Sequence, residues 1–509
     1  MEFGIDAIDY YLPRIALKIS SLAEKRNIIP AKLEKGLGLQ FMALTDCNED
    51  TASMAANALL NLIENNDIDP KTIGRIYLGT ESALDAAKPT ATYAVGAVEK
   101  IMSSKYGERC FRNCDVVDLT FACIGAVDAL ENCLDWVKGS SERKAVVIAS
   151  DLAKYELESS GEYTQGAGGG AILIRHNPRL IVIPDNWGVS TMPVHDFFKP
   201  RREVDMKTVV ENVLDLAEEA GEKPRKSGLV EKILDVLPIS SLKDNILFES
   251  KTLKIHKDTP VFDGQFSNRC YSESVKQAFI NFRIEAIRSG RYNPDDDDIL
   301  TEQWKRIIVH LPYAFQGKRM FPDVFRHDRR HLPLWDEIIE EIGEEPLPEN
   351  FEDYEEFEKA NDHYRRLISK TSMFKDFVDA RIEKAQRASS LVGNQYTGSI
   401  FLALMSTIES DHLDNEKMTG ERIGLCGYGS GAKAKVFEGI IQPEWQQIAE
   451  RFNLFGRLEK RHPIDKEIYE SLHRGTARKS ILSPENEFAL VSVGGDDVLE
   501  GQRKYSWFE

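Results

Sequence analysis

Short apolar runs that alternate with segments of helical spacing govern what this chain can fold into. Arg75–Leu78 has strand length and ends in Gly79-Thr80-Glu81-Ser82, with the helically spaced Ser53–Glu64 before it. Val116–Leu119 is a second run and leads through Cys123-Ile124-Gly125-Ala126 into a helical segment, Val127–Val137. Ala145–Ala149 is a third, and the glycine-rich 165–170 leads into a fourth, Ala171–Ile174. This rhythm predicts a layered α/β fold. The second half repeats it. Arg306–Val309 ends in His310-Leu311-Pro312-Tyr313, and a helical stretch follows from Lys375 to Ser389. Asn394–Ser399 opens the apolar helix Ile400–Ile408, Arg422–Leu425 ends in Gly427-Tyr428-Gly429-Ser430-Gly431, and Lys433–Phe437 resumes as strand. In each half a reactive side chain sits at a strand end or strand-to-helix turn, and a glycine-rich segment follows. The parallel is a weak internal duplication with a site expected between the halves.

At 509 residues the chain is long enough for two to four domains or one large duplicated fold. We divide it into an N-terminal half, 1–200, a charged connector, 201–258, and a C-terminal half, 259–509. The last contains an acidic insertion at 319–372. From Asp336 to Asp362 there are thirteen carboxylates against one lysine, which reads as a solvated helical face. The formal charge of −18 repels nucleic-acid phosphate, so no nucleic-acid partner is expected, although a local basic pocket can still hold an anion. Seven cysteines without a regular framework read as reduced thiols of a cytoplasmic protein. The first residues show no basic and then apolar stretch, so no leader is expected. No run of 18 apolar residues exists, so no membrane span is expected.

Three residues stand where chemistry is possible. Cys123 lies between a strand and a helix, where backbone N–H groups and the helix dipole lower a thiol pKa; the competing reading is a buried structural cysteine. His310 ends a strand and is able to polarise a carbonyl or shuttle a proton, or is simply a hydrogen-bonded core histidine. Glu81, at another strand end, gains basicity if held against apolar surface, or is a helix-terminal glutamate. Other patterns fail. Tyr428 stands two before Ser430 where a nucleophile elbow needs glycine. The glycine-rich segments lack phosphate-loop spacing. His327 and His331 have no intervening glutamate, so no metal site is expected.

Taken in order, these segments resemble 3-hydroxy-3-methylglutaryl-CoA synthase, in the thiolase-fold condensing enzymes. The resemblance runs from Gly4-Ile5-Asp6 through Gly79–Ser82, Ala122–Gly125, Ser150–Tyr155, Gly161–Gly168, Asp196–Pro200 and Phe262–Ser267 to His310–Tyr313, Val392–Ser399 and Gly427–Gly431. It implies a thiolase-like α/β fold, a duplicated five-layer α-β-α-β-α sandwich, as a homodimer. It implies an acyltransferase that condenses acetyl-CoA with acetoacetyl-CoA in the mevalonate route to isoprenoids. Cys123 would be acetylated, Glu81 would take a proton from the acetyl methyl, and His310 would position and polarise the second substrate. The backbone N–H groups of Cys123 and Ser430 would form an oxyanion hole. Asn394 matches an active-site asparagine, and Tyr313 and Tyr396 would line the pocket. No metal or bound organic cofactor is implied, with CoA thioesters as substrates. Lys318 and Arg319 are the candidates for the CoA phosphates, with Lys199 expected to help; it stands where the family commonly has arginine.

Ile124 departs from the aromatic residue that commonly follows the cysteine, and 201–258 and 319–372 exceed compact relatives in length. Two other readings remain: a polyketide β-branching synthase using acyl-carrier-protein-bound substrates, and a scaffold subunit of a thiolase-containing complex. The acidic run weighs against docking an acidic carrier, and the intact Cys123, Glu81 and His310 weigh against an inert scaffold.

Overall fold

The computed structural model describes residues 2–219, 228–236, 252–293, 299–495 and 500–509. Its centre is a sheet whose strands run, edge to edge, Trp304–Val309, Arg422–Gly429, Lys433–Ile441, Ile181–Val182, Phe3–Tyr11, Gly166–His176, Lys144–Ala153, Ile73–Gly79 and Asp115–Leu119. Trp187–Thr191 adds to Lys433–Ile441. The short Ile181–Val182 pairs with Phe3–Tyr11 on one side and Lys433–Ile441 on the other, so it splices the two halves into one hydrogen-bonded run. This is the mixed α/β architecture the rhythm predicts.

Most of these strands are buried along their length, as strands covered on both faces must be. Thr51–Asn65 packs on Phe3–Tyr11, Gly166–His176 and Lys144–Ala153, while Gly125–Val137 packs on Ile73–Gly79 and Lys144–Ala153. Asp50 caps the first of these helices by accepting from the N–H groups of Ala52 and Ser53. In the other half Ser399–Leu413 packs on Trp304–Val309, and Gly264–Arg288 packs on Trp187–Thr191 and Lys433–Ile441.

The halves share one device. Ile73–Gly79 runs parallel to Asp115–Leu119, and Trp304–Val309 runs parallel to Arg422–Gly429. Glu81 and Cys123 follow the carboxyl ends of the first pair, and His310 and Ser430 follow the carboxyl ends of the second. Ligands of open α/β sheets bind at such ends.

Two expectations change, and two stretches gain detail. The glycines of 166–170 are not a lead-in but part of the strand. A Cβ on Gly170 would lie 2.6 Å from the Tyr10 ring, and one on Gly169 would lie 3.0 Å from the Met54 backbone. The stretch from Lys375 to Ser389 is two helices, Ser372–Arg381 and Glu383–Val392, broken at Ile382. The stretch 319–372 is not exposed throughout. Pro322–Arg329 is core, because Arg329 stacks its guanidinium 4.1 Å from the Phe325 ring and pairs with Glu302 at 3.0 Å. The exposed carboxylates lie on Trp335–Ile342, on Tyr354–Ile368 and in the segment between them. The connector 201–258 is a strand pair, Arg201–Asp205 with Thr252–His256, that carries the helices Met206–Glu219 and Leu229–Val236; its remaining part, 220–227 and 237–251, lies outside the described residues.

Candidate active site

Cys123 sits in a tight turn. Ala122 before it has φ +40°, in the left-handed region that non-glycine residues rarely occupy, and Gly125 starts the following helix. The turn is wedged between strand ends by missing side chains. A Cβ on Gly79 would lie 2.2 Å from the Ala126 nitrogen, and one on Gly429 would lie 2.8 Å from both the Ile124 nitrogen and the Phe121 carbonyl oxygen. Gly429 therefore lets the 427–431 loop of one half lie directly on the cysteine turn of the other. That loop is held by the buried Asp196, which accepts from the Tyr428 hydroxyl at 2.8 Å and the Gly431 N–H at 2.7 Å.

The Cys123 thiol donates to Glu81 Oε1 at 2.9 Å. Both side chains are buried. Burial pushes the Glu81 carboxyl up to about 7, with Lys199 opposing and Asp151 adding to the rise. Burial also pushes the Cys123 thiol well above its ordinary value, and Glu81 pushes it further. The expected lowering of this thiol is thus reversed. Its proton has a receiver instead, the carboxylate at hydrogen-bond distance.

Asp151 holds the base in place. Its Oδ1 accepts from the Glu81 N–H and the Thr80 hydroxyl, both at 2.8 Å, and its Oδ2 accepts from the Thr397 N–H at 3.1 Å. Neither Asp151 nor Asp196 stands out from residue type alone, although each was part of a motif quoted above. For Asp151 the signal available was a carboxylate following the apolar run Ala145–Ala149, a position that demands several donors.

His310 is buried, and neither ring nitrogen has a hydrogen-bond partner among the described residues. Its ring stacks at 6.4 Å on Tyr271, whose hydroxyl donates to the His310 carbonyl at 2.8 Å. Burial holds the imidazole down to about 3, so it is neutral at physiological pH and offers one donor and one acceptor. Asn394 accepts from the Tyr396 N–H at 2.8 Å and thereby fixes Tyr396, whose φ is +42° and whose buried hydroxyl is also unpartnered.

A cavity of about 270 Å³ brings Cys123, His310, Tyr313, Arg319, Asn394, Tyr396 and Ser430 together. Tyr155, Phe197 and Phe262 form an aromatic wall beside the thiol. Lys318 does not line this cavity. It lines an adjoining one of about 720 Å³, where Arg319 also appears. Lys199 is placed otherwise than expected, with its ammonium 3.3 Å from the Glu81 carbonyl oxygen and 4.4 Å from the centre of the Tyr396 ring.

Residues 1–178 match the family described as hydroxymethylglutaryl-coenzyme A synthase N terminal, and residues 251–481 match its C-terminal counterpart. The chain belongs to the hydroxymethylglutaryl-CoA synthase family. It is an acyltransferase that forms a carbon–carbon bond. The hydroxymethylglutaryl-CoA synthase of Haloferax volcanii is 28% identical, covering 99% of both chains. That of Enterococcus faecalis is 24% identical over 99% of this chain and 97% of its own. A solved structure titled MvaS in complex with 3-hydroxy-3-methylglutaryl coenzyme A superposes with a TM-score of 0.74, at 25% identity, over 100% of this chain and 99% of the other. The curacin-pathway HMG synthase in complex with acetyl donor-ACP covers 100% of both chains with a TM-score of 0.68; at 19% identity it shows the shared fold alone. Among the described residues no helix is long and apolar enough to cross a membrane.

Proposed function

We propose that this synthase condenses acetyl-CoA with acetoacetyl-CoA through an acetyl-Cys123 intermediate. The observation that carries the reading is the Cys123 thiol hydrogen-bonded at 2.9 Å to Glu81, in a cavity shared with the unpartnered imidazole of His310. Glu81 accepts the thiol proton as Cys123 attacks the acetyl carbonyl, and returns it to the departing CoA sulfur. The freed carboxylate then removes a proton from the acetyl methyl. The resulting carbon nucleophile attacks the ketone of acetoacetyl-CoA. Neutral His310 hydrogen-bonds that oxygen through its N–H as negative charge develops, and the proton that Glu81 took from the methyl passes to the oxygen to give the 3-hydroxyl. The backbone N–H groups of Cys123 and Ser430 stabilise the thioester oxyanion, a role supported by the close approach that Gly429 allows between the two turns. Water then cleaves the acyl-Cys123 bond, releasing the carboxylate end of 3-hydroxy-3-methylglutaryl-CoA and restoring the thiol.

The adjoining cavity supports CoA as the carrier. Five basic residues, Lys35, Lys318, Arg319, Lys375 and Arg387, line it against three carboxylates, Glu34, Asp379 and Glu383, and Arg319 bridges it to the catalytic cavity. Such a cluster suits a nucleotide diphosphate despite the −18 total. We assign the product to the mevalonate route, as the resemblance implies.

The test is CoA release from acetyl-CoA plus acetoacetyl-CoA, beside a Cys123→Ala control and an acyl-carrier-protein donor. Release that needs both CoA substrates and Cys123 supports the assignment. Turnover only with the carrier-bound donor transfers the protein to β-branching chemistry.

A further inference from the structure

Lys199 was expected at the phosphates of CoA. It lies instead beside the base. The segment that carries it falls between the two family matches, 1–178 and 251–481. It is anchored just before Lys199 by pairing of Phe197–Phe198 with Val261–Phe262. The Lys199 ammonium donates to the Glu81 carbonyl oxygen at 3.3 Å and stands 3.7 Å from Glu81 Oε2. Its other side faces the Tyr396 ring at 4.4 Å. The side chains are nearly closed off from water, with 11% of Lys199 and 5% of Glu81 exposed. A cation so placed acts on a carboxylate through little solvent.

The groups facing Glu81 from its surroundings are Cys123 on the nucleophile turn, Asp151 on Lys144–Ala153, Tyr155 after that strand, and Tyr396 from the other half. None of these is cationic, and Asp151 is anionic. Lys199 supplies the positive charge that opposes them. It also completes a backbone clamp, because the Glu81 N–H is held by Asp151 and the Glu81 carbonyl by Lys199.

We propose that Lys199 is a positioning residue for Glu81, orienting the carboxylate towards Cys123 and keeping it ionisable at neutral pH, rather than a phosphate ligand. The inference rests on Glu81 being the base of the condensation. Without Lys199 the uncompensated burial and Asp151 raise the carboxyl further. An opposite charge at this range shifts a carboxyl by about one to three units.

The experiment compares wild type, Lys199→Met and Lys199→Arg between pH 5.5 and 9.5. Two rates are read: CoA release with both substrates, and alkylation of Cys123 by iodoacetamide with none. The expected result is an acidic limb of kcat that moves up by about one to three pH units in Lys199→Met. Activity recovers at the alkaline end, the alkylation profile moves the same way, and Lys199→Arg restores the wild-type limb. An acidic limb that stays in place while KM for acetyl-CoA rises overturns the inference in favour of a phosphate ligand. Equal loss at every pH, unrescued by arginine, overturns it in favour of a purely structural role. Glu81→Gln separates the premise from the inference. Retained condensation in that variant sinks the base assignment, and the alkylation profile still decides whether Lys199 tunes Glu81.

Discussion

Asp151 of the N-terminal half accepts two hydrogen bonds from Thr397 of the C-terminal half, one from its N–H and one from its hydroxyl. The same carboxylate accepts two more from Thr80 and Glu81. One buried anion therefore sets the position of the base relative to the half that brings His310 and Asn394. Asp151→Asn keeps the shape but has one acceptor oxygen where four donors converge. It should cost about 1–3 kcal/mol of stability, the penalty for buried donors left unmet. Loss of the anion also lowers the Glu81 pKa, so the acidic limb of activity should move down while the maximal rate falls. Thermal unfolding and a pH–rate profile check this, and an unchanged melting temperature with an unchanged limb would refute it.

Glu81 trades stability for basicity. Its folded pKa of about 7 lies above its ordinary value of 4.5, so the folded state binds this proton more tightly than the unfolded state. The stability that goes with the proton is complete below pH 4.5 and is lost as pH rises through 7. Glu81→Gln should therefore raise the melting temperature at pH 8, by about 1–3 kcal/mol of stability, and give no such gain at pH 4. Condensation should fall by several orders of magnitude. Glu487 is also pushed up to about 7, so the difference between variant and wild type, not the raw curve, is the quantity to compare. A gain of equal size at both pH values would mean that charge burial is not its source.

Gly429 should be intolerant of a methyl group. The added Cβ would meet the backbone at Phe121 and Ile124, which cannot swing aside as a flexible side chain can. Gly429→Ala should separate the 427–431 loop from the cysteine turn and slow acetylation of Cys123 by roughly 100-fold or more, the cost of losing one oxyanion donor. Gly96→Ala is the control. It lies in the helix Thr90–Tyr106 with nothing within 4 Å of its Cβ position, and should stabilise that helix by up to about 1 kcal/mol. Acetylation by labelled acetyl-CoA distinguishes the two; normal acetylation in Gly429→Ala would disprove the close-approach argument.

The alternation of apolar runs was enough to find the strands that carry the site. Arg75–Leu78 lies within Ile73–Gly79, and Arg306–Val309 within Trp304–Val309. Glycine misled where it lay inside a strand, because propensity alone does not reveal Tyr10 and Met54 pressing on the opposite side. Cys123, Glu81 and His310 were singled out by position at strand ends, and the structure puts Cys123 in hydrogen-bond contact with Glu81. The direction of the Cys123 pKa was not legible, because the helix-terminus rule is local and the burial and the Glu81 contact are tertiary. The contact of Lys199 with Glu81 was not legible for the same reason: it depends on how the segment at Phe197-Phe198 is held by pairing with Val261–Phe262. The final strand Arg503–Phe508 pairs back on Glu487–Val493, a pairing that no local pattern announces.

Arg319 and Lys318 should part company as ligands of CoA. Arg319 lines both cavities, and its guanidinium donates to the Gly36 carbonyl at 2.7 Å while lying 5.6 Å from the Tyr313 ring. A planar fork fixed in this way still has donors for a phosphate oxygen. The Lys318 ammonium rests 3.2 Å from the centre of the Phe315 ring, and burial lowers its pKa. Turning it towards a phosphate would give up that contact. Arg319→Ala should raise KM for the CoA thioesters by about 10–100-fold, equivalent to about 1.4–2.8 kcal/mol, with a smaller effect on kcat. Lys318→Ala should raise KM less. Both effects should shrink as salt increases, because screening weakens the wild-type attraction that the variants lack. Steady-state kinetics at two ionic strengths measure this, and an unchanged KM in Arg319→Ala would place the phosphates elsewhere.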